Sequence, residues 1–163
     1  FAAEPDLVLC DEVTSALDVS VQAAVLELLT ELRDERATTY IFVSHDLSVV
    51  RALADRVAVL YQGRLCETGT SEQVFNLPSH PYTEALLAAV LEPDPESRPK
   101  LVTEDIVELS PPATGCPFQR RCSRRIGEIC DQEVPPWQTT GHGHEIACHI
   151  PLRELHALQK NQT

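Results

Sequence analysis

The sequence lacks any long apolar run and is short of positive charge. Lys and Arg number 13 against 25 Asp and Glu, which gives a formal net charge of −12. Such an acidic chain is a poor match for nucleic acid, whose phosphates require a basic protein surface, so nucleic acid is excluded as a partner. No apolar stretch approaches the roughly 20 residues that span a membrane, and no signal peptide is recognisable. We therefore expect a soluble, cytoplasmic protein.

The 163 residues, 43% of them apolar, are enough for one ordinary domain or two small ones. Because the first residue is Phe1 rather than methionine, we expect a piece of a longer chain. Composition changes along the sequence and predicts three parts. Residues 1–91 form an α/β segment, 92–110 a proline-rich linker with a connecting strand, and 111–163 a cysteine-rich C-terminal domain.

The first half reads as two buried parallel strands joined by a helix. Residues 7–12 are an apolar run ending in two acids, residues 19–36 show helical spacing, and residues 39–44 form a second apolar run. The elements predicted next are a helix at 46–54, a β-hairpin turning at Gln62-Gly63, a helix opened by the Thr70–Gln73 capping box, and a helix at 82–91.

Two acids and a histidine follow these strands. Asp11 and Glu12 end the first run, and His45 comes directly after the second. Because parallel strands present their carboxyl ends at one edge of a sheet, we expect the three side chains to converge there. Hydrolysis of a nucleoside triphosphate requires Mg²⁺, a base or positioner for water and contacts to the γ-phosphate. Each of these residues, taken alone, also fits a structural role. Their order and spacing together favour a site for a nucleoside triphosphate.

Several motifs together resemble the ATP-binding cassette (ABC) ATPases. Residues 7–12 are similar to the Walker B strand, Ser15–Asp18 to the D-loop, and Ser44–Asp46 to the switch-histidine motif. The similarity continues through residues 54–64. Residues 78–87 resemble a tail extension of the oligopeptide/dipeptide importer branch.

This resemblance implies a fold and site roles. The fold would be the C-terminal part of a P-loop NTPase domain of the ABC type, α/β with parallel strands, followed by a small loop-rich metal-binding tail. The implied cofactors are ATP and Mg²⁺. Asp11 would serve Mg²⁺, Glu12 would be the catalytic base, and His45 would sense the γ-phosphate. Asp18, with Ser15 in the same motif, would bind at the nucleotide site across a dimer.

The resemblance also implies a place in the cell. The protein would energise uptake of peptides or related small solutes from the cytoplasmic face of a bacterial-type plasma membrane. Its partners would be a second ABC ATPase subunit or domain, transmembrane permease subunits and, indirectly, an extracytoplasmic solute-binding protein. The alternative is a non-catalytic regulatory or interaction module; the presence of Glu12 and His45 favours the ATPase.

The sequence departs from the family pattern in three features. Val13 stands where the family usually has proline, and the phosphate-binding Gly-x-x-x-x-Gly-Lys-Ser/Thr loop and the Ser-Gly-Gly signature are missing. We therefore predict that the 163 residues alone neither bind ATP tightly nor hydrolyse it.

The tail carries a separate constellation. Cys116, Cys122, Cys130 and Cys148 follow the spacing C-x5-C-x7-C-x17-C. Zinc sites usually pair ligands as C-x2–4-C, so this spacing favours an iron–sulfur cluster, with zinc, disulfides and free thiols as alternatives. By resemblance, this is the cysteine-bearing tail of peptide-importer ATPases, some of which hold a [4Fe-4S] cluster. We favour a structural role for the cluster over redox sensing.

Overall fold

A computed structural model describes residues 4–14, 17–91 and 112–160 of the protein. The chain divides into two compact units after residue 55. The elements in chain order are β1 (Leu7–Asp11), α1 (Val19–Arg36), β2 (Thr39–Val43), α2 (Leu47–Leu53), β3 (Arg56–Tyr61), β4 (Arg64–Thr70), α3 (Ser71–Asn76), α4 (Pro81–Leu91), α5 (Ile129–Gln132), β5 (Trp137–Gly141), β6 (His144–Ala147) and α6 (Leu152–Lys160). The α/β character predicted from the sequence is confirmed.

The first unit contains the predicted strand–helix–strand arrangement. β1 and β2 pair in parallel, with Leu7 opposite Thr39 and Asp11 opposite Val43. Because the two strands run in the same direction, both end at one edge of the pair. The segments that follow Asp11 and Val43 therefore start side by side.

The prediction that both strands are buried is wrong for one face of the pair. Leu9 is 66% exposed and Ile41 is 49% exposed, whereas Cys10, on the opposite face, is 4% exposed. Successive strand residues point to opposite faces, so an unbroken apolar run predicts that both faces are covered. Among the described residues of this unit, the face of Leu9 and Ile41 has no cover.

Helix α1 has the bounds that the sequence predicts, and its two ends explain why. Asp18 has an extended backbone, and its carboxylate accepts hydrogen bonds from the N–H groups of Ser20 at 3.1 Å and Val21 at 3.0 Å. These bonds satisfy backbone donors that have no partner inside the helix. At the other end, Ala37 adopts a left-handed conformation (φ 53°), which stops the helix.

The second unit is built on an antiparallel sheet with strand order β3-β4-β6-β5. The predicted hairpin of β3 and β4 is confirmed, and its turn residues Gln62 and Gly63 both have positive φ, as a type I′ turn requires. His142 and Gly143 make a second turn with positive φ between β5 and β6. The sequence analysis missed this second hairpin and predicted a loop-rich tail there.

The short helices follow local signals. Gln73 N donates to Thr70 Oγ1 at 3.2 Å, and Thr70 N donates to Gln73 Oε1 at 2.9 Å, so the predicted capping box is confirmed. Pro81 begins α4, where its missing N–H costs nothing. No helix within the described ranges is long and apolar enough to cross a membrane.

Strand β4 pairs with the cysteine-rich part of the chain. Glu67 lies opposite Ile146 in β6, and residues 56–91 and 112–160 therefore lie in one unit. This division differs from the predicted one, in which the α/β segment extends to residue 91, because a strand pairing of such sequence separation leaves no local signal. The predicted linker, residues 92–110, lies outside the described residues, and its boundaries stay a prediction.

Glu67 is the centre of a buried polar network in this unit. It is 0% exposed. One carboxylate oxygen accepts from Ser79 N at 2.8 Å and from His144 Nε2 at 2.7 Å, and the other accepts from His80 N at 3.0 Å. The carboxylate thereby joins β4, the segment before α4 and β6. A buried charge is tolerated only with such partners.

An apolar cluster and an ion pair complete the packing of the second unit. Ile146 and Leu155 are fully buried in a core that also contains Cys148 and Ile150. Arg124 Nη1 lies 2.7 Å from Glu84 Oε2 in α4, and the Arg124 side chain is 9% exposed. The cysteine-bearing loop is thus fixed to α4 by a largely buried charge pair.

Candidate functional site

Glu12 and His45 meet at the carboxyl edge of the parallel pair. Glu12 follows β1, and its N–H donates to the carbonyl of Val43 at 2.9 Å, which extends the pairing by one residue. The Glu12 carboxylate Oε1 lies 3.0 Å from His45 Nδ1. Both side chains are largely exposed, at 53% and 73%. The structure therefore brings these two predicted site residues together; the roles assigned to them stay predictions.

The backbone at Glu12 is unusual. Its φ of +46° lies in the left-handed region, which costs a residue with a side chain roughly 1–2 kcal/mol. Such conformations persist where surrounding contacts enforce them, and they cluster at functional sites. Here the N–H bond to Val43 and the side-chain bond to His45 hold Glu12 from both sides.

A small polar cavity of about 110 Å³ lies beside this pair. Its lining residues are Glu12, Thr14, Leu17, Gln22, Ser44, His45 and Asp46. Two of them, Thr14 and Gln22, were not identified from the sequence, because they lie outside its motifs, and Leu17 belongs to the D-loop-like segment. The cavity is large enough for a few water molecules.

Asp11 and Asp18, two further residues predicted for the nucleotide site, do not line this cavity. Asp11 is exposed at the end of β1. The Asp18 carboxylate caps α1, and hydrogen bonds from the Ser20 hydroxyl and from backbone N–H groups hold its pKa below the usual range. Ser15 lies outside the described residues. Asp11 and Asp18 are therefore accessible to a ligand, but no described contact tests their roles.

Asp46 fixes the residue after His45. Its carboxylate Oδ1 accepts from Ser48 N at 3.0 Å and Val49 N at 3.4 Å and so caps α2. The Ser48 hydroxyl and Gln22 amide are further donors, and together these bonds lower the pKa of Asp46. Asp46 is therefore the residue that caps the helix predicted at 46–54, which begins at Leu47.

The four tail cysteines are near enough to influence one another's ionisation although they are far apart in sequence. Cys130 and Cys148 are buried, Cys116 and Cys122 are half-buried, and none forms a disulfide. Burial raises the pKa of Cys148 to about 11, and the three other thiols add to the rise. Burial likewise raises the pKa of Cys116 and Cys122. The predicted disulfide alternative is absent among these described cysteines.

Gly115 lets the backbone at Cys116 approach Cys130 closely. Its φ is +80°, and a Cβ atom there would lie 2.3 Å from the carbonyl oxygen of Cys130. The same close approach lets Cys116 N donate to that carbonyl at 2.7 Å. Only glycine combines this backbone conformation with so little space.

The predicted metal site itself is not seen. In the described ranges, no three or more His, Cys, Asp or Glu side chains are arranged to hold a metal ion. Two histidines of the tail have partners other than a metal ion: His144 Nε2 bonds Glu67, and His149 Nε2 lies 2.9 Å from the carbonyl oxygen of Glu133. The structure therefore does not show the metal-binding tail that the sequence predicts.

Comparison with known proteins agrees with the motifs. Residues 66–130 match the model of the family described as "Oligopeptide/dipeptide transporter, C-terminal region". This match agrees with the resemblance to the ATP-binding proteins of ABC peptide importers. The chain is 49% identical over 148 residues to "Dipeptide transport ATP-binding protein DppF" of Escherichia coli (strain K12), covering 89% of this chain and 43% of that protein.

Further relatives have names of the same kind. The protein named DppF in Haemophilus influenzae (strain ATCC 51907 / DSM 11121 / KW20 / Rd) is 47% identical, over 90% of this chain and 46% of its own length. "Probable peptide ABC transporter ATP-binding protein y4tS" of Sinorhizobium fredii (strain NBRC 101917 / NGR234) is 45% identical, over 91% of this chain and 42% of its own. The chain thus spans less than half the length of these relatives.

Proposed function

We propose that this chain is part of the ATP-binding and ATP-hydrolysing subunit of an ABC importer that takes up peptides or related small solutes. The observation that carries the proposal is the 3.0 Å contact between Glu12 and His45 at the carboxyl edge of two parallel strands. The similarity to dipeptide-transport ATP-binding proteins supports the same function. The subunit would lie at the cytoplasmic face of the membrane and act with a second ATPase subunit, a permease pair and an extracytoplasmic solute-binding protein.

Each residue at this edge has a role in the proposal. Glu12 orients or deprotonates the attacking water, and its bond to His45 aims the carboxylate. His45 contacts the terminal phosphate, and Asp18 acts across a subunit interface with Ser15. The exposed carboxylate of Asp11 is the oxygen donor that Mg²⁺ prefers, and Mg²⁺ supplies charge neutralisation at the phosphates.

Substituting Glu12 by glutamine tests this function. In the complete protein, Glu12→Gln should lower kcat for ATP hydrolysis by about a hundredfold, because the amide cannot accept the proton. The exposed Glu31→Gln variant on α1 removes the same charge and should keep the wild-type rate. Phosphate release gives the rate.

Two outcomes contradict the proposal. A wild-type rate in Glu12→Gln would show that Glu12 is not the catalytic base. Absence of ATP hydrolysis by the complete protein would favour the alternative, a non-catalytic regulatory or interaction module. The isolated 163 residues serve as a reference that should be inactive, because they contain no Gly-x-x-x-x-Gly-Lys-Ser/Thr loop. Micromolar nucleotide affinity of the isolated chain would contradict that part of the proposal.

We also propose that Cys116, Cys122, Cys130 and Cys148 hold a [4Fe-4S] cluster, with Zn²⁺ as the alternative. Every pair among the four interacts electrostatically, which supports a common site.

Backbone donors around the thiols also support a cluster. Each of Cys116, Cys122 and Cys148 accepts a hydrogen bond from the backbone N–H of the residue two positions further along the chain. Such bonds stabilise thiolates and tune the potential of iron–sulfur sites. In the proposal, the cluster acts as a structural staple of the second unit.

Iron analysis tests this proposal. Protein purified without oxygen should contain iron and acid-labile sulfide and show broad visible absorbance. Cys122→Ser should lose both and unfold the second unit, whereas Cys10→Ala, in the first unit, should keep them. A colourless protein that contains one zinc ion would show that the site binds Zn²⁺ instead of a cluster. A Cys122→Ser variant that stays folded without iron would contradict the structural role of the cluster.

A further inference from the structure

Gln22 connects helix α1 to the segment that carries His45. Its side-chain Nε2 donates to Asp46 Oδ2 at 3.1 Å, across 24 residues of sequence. The same glutamine lines the cavity beside Glu12 and His45. No role assigned to the site so far uses this contact.

The contact fixes the side chain of Asp46, which other hydrogen bonds already hold. Asp46 uses Oδ1 to cap α2, through Ser48 N and Val49 N, and this leaves Oδ2 for Gln22. The N–H of Asp46 donates to the Ser44 hydroxyl at 3.0 Å. Hydrogen bonds therefore hold both sequence neighbours of His45, which are Ser44 and Asp46. Gln22 links Asp46, at the start of α2, to helix α1.

Gln22 also touches the start of α1 directly. Its backbone N–H donates to the carbonyl of Asp18 at 2.8 Å. One residue thus contacts Asp18 through its backbone and Asp46 through its side chain. Displacement of the α1 N-terminus would move Asp46, and with it the adjacent His45.

We propose that Gln22 is a positioning residue: by holding Asp46 against α1 it keeps His45 in contact with Glu12, and it links the start of α1 to that pair. The inference rests on the proposed ATPase function. Gln22 does not reach reacting atoms in this role. Its effect comes through geometry, and small displacements of a catalytic group have large effects on rate.

Two substitutions separate the hydrogen bond from side-chain size. Gln22→Met has similar length without a donor, and Gln22→Lys keeps a donor that can reach Asp46. In the complete protein, Gln22→Met should lower kcat for ATP hydrolysis about tenfold and leave KM within about twofold of wild type. Gln22→Lys should recover kcat to within about threefold of wild type. Glu27→Ala, exposed on the same helix, is the control.

Amide hydrogen exchange supplies a readout independent of ATP hydrolysis. In Gln22→Met, residues 44–49 should exchange faster than in wild type, and the control should match wild type. A Gln22→Met variant with unchanged exchange, unchanged kcat, or a kcat loss that Gln22→Lys does not reverse would overturn the proposal. If the wild-type protein hydrolysed no ATP, the proposed function would fail, and the exchange result alone would decide whether Gln22 holds this segment.

Discussion

Replacement of Glu67 by alanine should destabilise the second unit by about 4 kcal/mol. The carboxylate is 0% exposed, and three donors point to it: Ser79 N, His80 N and His144 Nε2. Alanine leaves these donors buried without an acceptor and also opens a cavity. Each unsatisfied buried donor costs roughly 1–3 kcal/mol, so the loss is large even if the chain relaxes in part.

Urea unfolding followed by fluorescence measures this loss. Trp137 is the single tryptophan of the chain and lies in β5, so its emission reports on the second unit. The matched control is Glu145→Ala, which removes an exposed carboxylate next to His144 and should change stability by less than about 0.5 kcal/mol. Equal losses in the two variants would show that the buried network contributes little.

A conservative variant keeps the test decisive if alanine prevents folding. Glu67→Gln retains the length of the side chain and one acceptor oxygen but loses the charge. We expect about half of the alanine effect, roughly 2 kcal/mol, because one or two donors still find an acceptor. A glutamine variant as stable as wild type would mean that the ionised form of Glu67 does not matter.

Local signals predicted the elements that local contacts build. Asp18 caps α1, Thr70 and Gln73 form a reciprocal box, and Gln62-Gly63 makes the hairpin turn. In each case the interacting atoms lie within a few residues of one another. The carboxyl-edge rule for parallel strands also predicted that Glu12 and His45 meet.

Contacts between distant residues left no such signal. Glu67 and His144 are 77 residues apart, and the pairing of β4 with β6 makes one unit of two segments that composition separates. Gln22 reads as an ordinary polar residue on an exposed helix face until Asp46 is seen beside it. Which faces of β1 and β2 are covered depends on packing elements, and the apolar pattern alone could not supply that.

His80 makes the stability of the second unit depend on pH. The ring is 2% exposed, and its Nδ1 accepts from Tyr82 N at 3.1 Å, so the proton of the neutral ring is on Nε2. Burial lowers the pKa of His80 from 6.5 to about 4, although the charge of Glu67 opposes the shift. A second proton would occupy Nδ1 and remove the acceptor for Tyr82.

The sign follows from the lowered pKa. Between pH 6.5 and about 4 the unfolded chain binds a proton at His80 and the folded chain does not. The contribution of the neutral His80 to the free energy of unfolding is therefore fully present above pH 6.5, and it is lost as the pH falls from 6.5 to about 4. The interval corresponds to about 3 kcal/mol at 1.36 kcal/mol per pH unit.

Urea unfolding of the second unit between pH 7 and pH 4.5 tests this prediction through Trp137 emission. His80→Asn places an amide oxygen near the position of Nδ1 and cannot titrate, so its stability should fall much less over that range. His142→Asn removes an exposed histidine at a positive-φ position that asparagine tolerates, and it should keep the wild-type slope. If His80→Asn and wild type lost stability in parallel, the pH dependence would have to come from groups other than His80.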